Sequence, residues 1–216
     1  MLAARFYDRM DIRIEEVPVP EIRASDDVLV EVSYCGICGT DLHEYMVGPI
    51  VTPKTPHALT GATLPQTLGH EFAGTVAAIG SDVRDVRVGD RVSVCPIITC
   101  GRCYHCRRGN GHLCLSMACT GLSSETGALA NYAVVKESQV AVLPDSVSDL
   151  EGAVIEPACV AAYGVDWAGV TGGDIVLVTG AGPIGVLSAM YADAIGAATV
   201  IIAEPNPNRA ALARAM

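Results

Sequence analysis

Cys100, Cys103, Cys106 and Cys114 follow the pattern Cys-x2-Cys-x2-Cys-x7-Cys, so four metal-binding side chains crowd into fifteen residues. Four thiolates so close together point to a metal. Gly101, Gly109 and Gly111 let the backbone fold back until all four sulfurs reach one tetrahedral centre, and a closed shell of four thiolates is what structural zinc prefers. Such a shell has no open position, so any chemistry must be done elsewhere in the chain. An iron–sulfur cluster fits less well. The ferredoxin run ends Cys-x3-Cys-Pro, whereas here seven residues separate the last pair and Leu115 follows. His105 and His112 fall inside the lobe and are read as bystanders to its cysteines.

A second constellation is Gly180-Ala181-Gly182-Pro183-Ile184-Gly185, a GxGxxG run that follows the apolar stretch Ile175–Thr179 and opens a helical pattern over Ile184–Ile195. In that context Gly180 permits a tight turn, Gly182 lets backbone approach a pyrophosphate, and Gly185 lets the helix pack on the strand. Pro183 and Ile184 open the helix whose free amides would face the phosphate. Glu204 closes the second apolar run, Thr199–Ala203, nineteen residues beyond Gly185. A carboxylate there accepts hydrogen bonds from an adenosine ribose and repels a 2′-phosphate, so the expected cofactor is NAD rather than NADP.

The elements that must position these groups change character near residue 155. Before it, short β-like runs alternate with turn residues: Val28, Val30, Val32 and Tyr34 alternate with Leu29, Glu31 and Ser33, and Phe72–Ile79, Arg91–Val94 and Tyr132–Val135 are similar. After residue 170 the order is strand, turn, helix, strand, a βαβ unit with a parallel sheet. The expectation is a mixed α/β chain with a compact all-β unit followed by a dinucleotide-binding one. Its 216 residues, half of them apolar, are enough for one or two domains with a substantial core.

Composition excludes several classes. With 14 Lys and Arg against 24 Asp and Glu, the formal charge of −10 repels phosphate, so nucleic acid is not an expected partner. No uninterrupted apolar run is long enough to span a membrane. Nine cysteines is an odd number, and residues 1–16 carry seven charged side chains with no apolar signal core. Both point to a reduced, cytoplasmic chain rather than a disulfide framework.

Cys35-Gly36-Ile37-Cys38-Gly39-Thr40-Asp41-Leu42-His43, Gly69-His70-Glu71-Phe72-Ala73-Gly74 and Val88-Gly89-Asp90-Arg91-Val92 occur in that order before the cysteine lobe. Together with it they resemble the zinc-dependent medium-chain alcohol and polyol dehydrogenases. The likeness extends to the 2,3-butanediol and sorbitol dehydrogenase branch through Pro56-His57-Ala58-Leu59-Thr60-Gly61-Ala62-Thr63. It implies a GroES-like β-barrel catalytic domain over residues 1–157, with the zinc lobe at about 95–118, and from 158 to 216 the N-terminal, incomplete part of a doubly wound Rossmann NAD-binding domain.

Carried over, the resemblance makes Cys38 and His70 ligands of a second, catalytic zinc, with Glu71 or Glu156 as the carboxylate partner. Thr40 and His43 would pass the alcohol's proton to solvent. Asp41 is read as structural or as a support to the ligands, and His57 as a pocket or a loop residue. Cys35 with Cys38 is not read as a redox pair, and Cys95, Cys119 and Cys159 are read as small core residues. The implied activity is NAD-dependent oxidation of a secondary alcohol or vicinal diol, with the reverse reduction of the ketone, in a dimer or tetramer. The chain stops inside the second helix of a domain that normally has about six strands. This leaves a second expectation, that of a catalytically incompetent zinc-binding fragment or interaction module.

Overall fold

The computed structural model describes all residues, 1–216. The chain divides into two compact units, Met1–Val154 and Ile155–Met216.

The first unit is built on antiparallel sheets. Strands β1 (Leu2–Asp8), β2 (Asp11–Glu16), β3 (Asp27–Gly36), β4 (Gln66–Thr67), β5 (Glu71–Ile79), β6 (Arg91–Val94), β7 (Ile97–Ile98), β8 (Ala118–Cys119), β9 (Tyr132–Lys136) and β10 (Val140–Val142) follow in chain order. They assemble as β2-β1-β4, as a five-stranded sheet β10-β6-β5-β3-β9, and as the short ladder β7-β8. The alternation read in β3 decides its faces: Val28 and Val30 are fully buried, while Glu31 and Ser33 are exposed. The buried set packs with Phe72, Val76, Val92, Val94, Ala133 and Val135 into one core. Each such fully buried large side chain contributes about 1.5–3 kcal/mol relative to exposure. The pairing of Ile97 with Cys119 and of Ile98 with Ala118 closes residues 99–117 into a lobe.

Two helices lie where the sequence reading placed none. Helix α1 (Gly39–Val47) follows β3 directly. Helix α2 (Asp149–Trp167) begins with a reciprocal capping box: the Ser148 amide donates to Glu151 Oε2 at 2.8 Å, and the Glu151 amide to Ser148 Oγ at 3.3 Å. That Ser-x-x-Glu signal was legible in the sequence. Pro157 lies inside α2 and forfeits one helical hydrogen bond without ending the helix. The two compact units meet at Val154/Ile155, within the residues of α2.

The second unit carries the βαβ order. β11 (Ile175–Thr179) and β12 (Thr199–Ala203) pair in parallel from Ile175↔Thr199 to Thr179↔Ala203, joined through α3 (Pro183–Ala194). Helix α4 (Pro207–Ala215) follows, its first turn capped by Asn206 Oδ1, which accepts from the amides of Asn208 and Arg209. No helix is long and apolar enough to cross a membrane.

Candidate metal centres and dinucleotide turn

Two groups of side chains in the first unit have metal-ligand geometry. In each, the ligand atoms lie within 4.8 Å of one another.

The first is Cys100, Cys103, Cys106 and Cys114. Donors at about 2.3 Å in a zinc tetrahedron are roughly 3.8 Å apart. Cys103 Sγ and Cys106 Sγ stand at 3.5 Å, and Cys100 Sγ and Cys106 Sγ at 4.0 Å, so the sulfurs already bracket that spacing. The turns that hold them aim backbone amides at sulfur: Cys100 N donates to Cys114 Sγ at 3.3 Å, Ser116 N to the same sulfur at 3.4 Å, and Cys106 N to Cys103 Sγ at 3.5 Å. At Cys103 such amides favour the anion. The N–H groups of Cys106 and Leu115 hold the Cys103 thiol down to about 6, whereas burial and then the neighbouring Cys103 push Cys106 up to about 11. Without metal the pair therefore retains a proton, which a cation would displace. His105 packs edge-on against Tyr104, and neither it nor His112 belongs to the cluster.

The second group is Cys38, His70 and Glu71. The β3–β5 register sets Gly36 opposite Glu71, which draws the start of β5 alongside the end of β3. Cys38 is the residue before α1, and its amide donates to Asp41 Oδ2 at 3.0 Å. The same carboxylate places Oδ1 3.6 Å from His70 Nδ1, and both of these buried atoms lack a hydrogen-bond partner. An imidazole with its Nδ1 turned to a carboxylate leaves Nε2 for a metal, the usual support for a ligating histidine. One thiol, one imidazole and one carboxylate are the three-ligand set with which zinc keeps a fourth position open, so the donor chemistry fits that metal.

Burial sets the electrostatics of this group. It pushes the Cys38 thiol up and, as the largest effect, raises the Asp41 carboxyl against the opposing pull of His70. Cys35 is driven up to about 12 by burial and donates to the Gly36 carbonyl. It is held as a thiol.

Of the other expected residues, Thr40 accepts from Cys38 Sγ at 3.6 Å, and His43, three residues further along α1, is exposed. Glu156 lies on α2 in the second unit, outside the three-residue group. His57 takes a loop role in which its Nδ1 accepts the Leu59 amide at 3.2 Å. Cys95, just past β6, and Cys159 on α2 are exposed rather than core residues, whereas Cys119 is half-buried against the small core of Phe6, Leu68 and Leu122. The sequence reading missed Glu44. This fully buried carboxylate on α1 accepts the amides of Ile50, Val51 and Thr52 and so fixes the loop after the helix. No local pattern marks it.

In the second unit Gly180 turns at φ 100°, Gly182 precedes α3 in extended geometry, and Pro183 takes its first position. A Cβ on Gly185 would strike the Gly180 carbonyl, so glycine sets how closely the helix packs on the turn. A Cβ on Gly182 would meet nothing within 4 Å, so that approach is open. Glu204 Oε2 accepts the Ala181 amide at 2.7 Å and Oε1 accepts the Asn206 amide at 2.8 Å. Those two donors hold its carboxyl below the usual range and keep it charged.

The alcohol dehydrogenase GroES-like domain family matches residues 24–145. The chain is 41% identical over 210 residues to (R,R)-butanediol dehydrogenase of Bacillus subtilis, covering 97% of this chain and 59% of that enzyme. The crystal structure of 2R,3R-butanediol dehydrogenase from Bacillus subtilis superposes with a TM-score of 0.92 at 40% identity, covering 99% of this chain and 60% of that one. A dehydrogenase from Escherichia coli CFT073 solved with NADH gives a TM-score of 0.86 at 32% identity, covering 100% of this chain and 60% of that one.

Proposed function

Because the chain belongs to the alcohol dehydrogenase family built on a GroES-like domain, we propose that it serves NAD-dependent oxidation of a secondary alcohol or vicinal diol and the reverse reduction of the ketone. Cys38, His70 and Glu71 would hold a catalytic zinc, with Glu156 as an alternative carboxylate, and the four lobe cysteines a structural one. The observation that carries this reading is the coexistence of a closed four-sulfur set with an incomplete three-donor set.

Removing the proton from a hydroxyl at about pH 7 costs on the order of 12 kcal/mol. A positioned side-chain base offsets about 3–5 kcal/mol of that. When bound, zinc supplies the missing Lewis-acid polarisation, and NAD accepts the hydride. The chain's own residues do the rest. Asp41 orients His70 and pins the Cys38 backbone. Thr40, beside the Cys38 sulfur, takes the alcohol's proton through its hydroxyl, and exposed His43 releases it to solvent. Gly182 and the amides opening α3 receive the pyrophosphate, with Pro183 and Ile184 as its first helical residues. Charged Glu204 accepts the ribose hydroxyls and selects NAD. The proposal includes a homo-oligomer in the cytoplasm, where nine cysteines outside any disulfide stay reduced.

The chain spans 59% of the B. subtilis relative, so the test uses this chain itself. Purified protein is given NAD⁺ and a vicinal diol, and reduced nicotinamide is followed by absorbance alongside zinc analysis. Turnover with nearly two zincs per chain is expected. One zinc and no NADH would identify a zinc-binding module instead.

A further inference from the structure

We propose that Gly36 is a positioning residue for the catalytic metal, because it vacates the space in which the Glu71 carboxylate reaches Cys38 and His70. The inference rests on the reading of those three residues as a zinc site. In the β3–β5 ladder Gly36 faces Glu71 directly. A Cβ on Gly36 would overlap Glu71 Oε2 and stand 3.2 Å from Glu71 Cβ and 3.5 Å from Cδ. The carboxylate is thus folded back over the Gly36 Cα and fills the volume of the absent side chain. That pose lets its oxygen lie within 4.8 Å of the Cys38 and His70 donors.

The need for glycine here is spatial rather than conformational. Gly36 is not among the glycines with positive φ, so its backbone accepts an L side chain. Neighbouring glycines differ. Gly69 has φ 97°, and its Cβ would stand 2.6 Å from the Leu129 backbone nitrogen and 2.8 Å from Cys35 Sγ. A Cβ on Gly74 would strike the Glu31 carbonyl. Those two glycines are required by backbone, which cannot move aside. The three nearest atoms at Gly36 all belong to Glu71: its carboxylate end can rotate away, and its Cβ, at 3.2 Å, must give by a few tenths of an ångström. Alanine at 36 should therefore spare the sheet and evict the carboxylate, converting three donors to two.

The experiment compares wild type, Gly36→Ala, Glu71→Ala and the double variant of the 216-residue chain. Zinc affinity is read by chelator competition, the ligand field by the visible absorption of the Co²⁺-loaded protein, and folding by circular dichroism. Both single variants should keep the lobe metal and bind the second metal about 10–100-fold more weakly, the range seen when a group that supports a metal site is lost. They should share one altered Co²⁺ spectrum. The double variant should bind no more weakly than Glu71→Ala, since two changes acting through one carboxylate do not add. Wild-type affinity in Gly36→Ala, or losses that add in the double variant, would overturn the proposal. Should Gly36→Ala fail to fold, the double variant decides: restored folding assigns the clash to the Glu71 carboxylate, and continued unfolding refutes it. A wild type that holds only the lobe metal sinks the zinc reading itself, an outcome distinct from a two-zinc protein indifferent to position 36.

Discussion

The four-cysteine lobe and the Cys38–His70–Glu71 group draw on the same short list of metal-binding side chains, yet they are prepared in opposite ways. In the lobe, backbone amides of the same turns point at the sulfurs, and Cys103 is lowered to about 6. At the second group, donors come from the ends of separate elements into a buried space, and burial pushes the Cys38 thiol up. Local amides ready Cys103 for a cation before any arrives, while burial and the neighbouring Cys103 hold Cys106 up at about 11. The other site disfavours the Cys38 thiolate and leaves two buried polar atoms, Asp41 Oδ1 and His70 Nδ1, without partners. A full, locally prepared shell suits a staple, and a sparse, buried one suits chemistry.

Replacing Cys38 with Ser gives the largest expected effect on this contrast. Turnover should fall on the order of 10³-fold or more, the several kcal/mol that a metal supplies, while the lobe metal remains. Steady-state rates with metal analysis check this, and near-normal turnover would dissolve the division of labour. Thiol reactivity comes next. In chelated protein at about pH 7, a thiol near 6 is mostly thiolate and one near 12 is not, so Cys103 should alkylate about 100-fold or more faster than Cys35. The sign follows from the shifts: Cys103 labelling fades as pH falls through about 6, whereas Cys35 labelling grows only as pH rises toward about 12. Peptide mass spectrometry reads both, and equal rates would remove the contrast. The smallest effect is expected from Asp41→Asn, which keeps an acceptor for the Cys38 amide but removes the charge facing His70. Zinc at the second site should weaken by about 10–100-fold with the lobe unchanged. Unchanged affinity in chelator competition would show that Asp41 orients nothing.

Much of this architecture was legible in order along the chain. The alternation of Val28 and Val30 with Glu31 and the apolar runs at Ile175–Thr179 and Thr199–Ala203 became strands, and Asn206-Pro207 opened α4 as its capping chemistry requires. The GxGxxG turn lies between β11 and α3, within reach of Glu204. Helix α1 was hidden because Cys38 leads it with no Ser, Thr, Asp or Asn cap, and α2 was missed despite its Ser148–Glu151 start because Pro157 imitates a stop. Glu44 and Gly36 were illegible for a different reason. Each acts on residues that folding brings near: Glu44 belongs to no spaced motif, and Gly36, though inside the Cys35–His43 run, meets Glu71 only through strand register.

By itself the sequence determined the two sets whose members lie close in the chain, the lobe cysteines and the glycine turn, because short-range spacing limits what their backbone can do. It also fixed the acidic charge and the switch from a two-residue to a helical period. Only the tertiary structure decided that His70 and Glu71 meet Cys38, that Asp41 faces His70, and that Gly36 leaves room for a carboxylate. Those relations depend on strand register and burial, which no local pattern specifies, since a ladder shifted by one residue would turn each side chain to the other face.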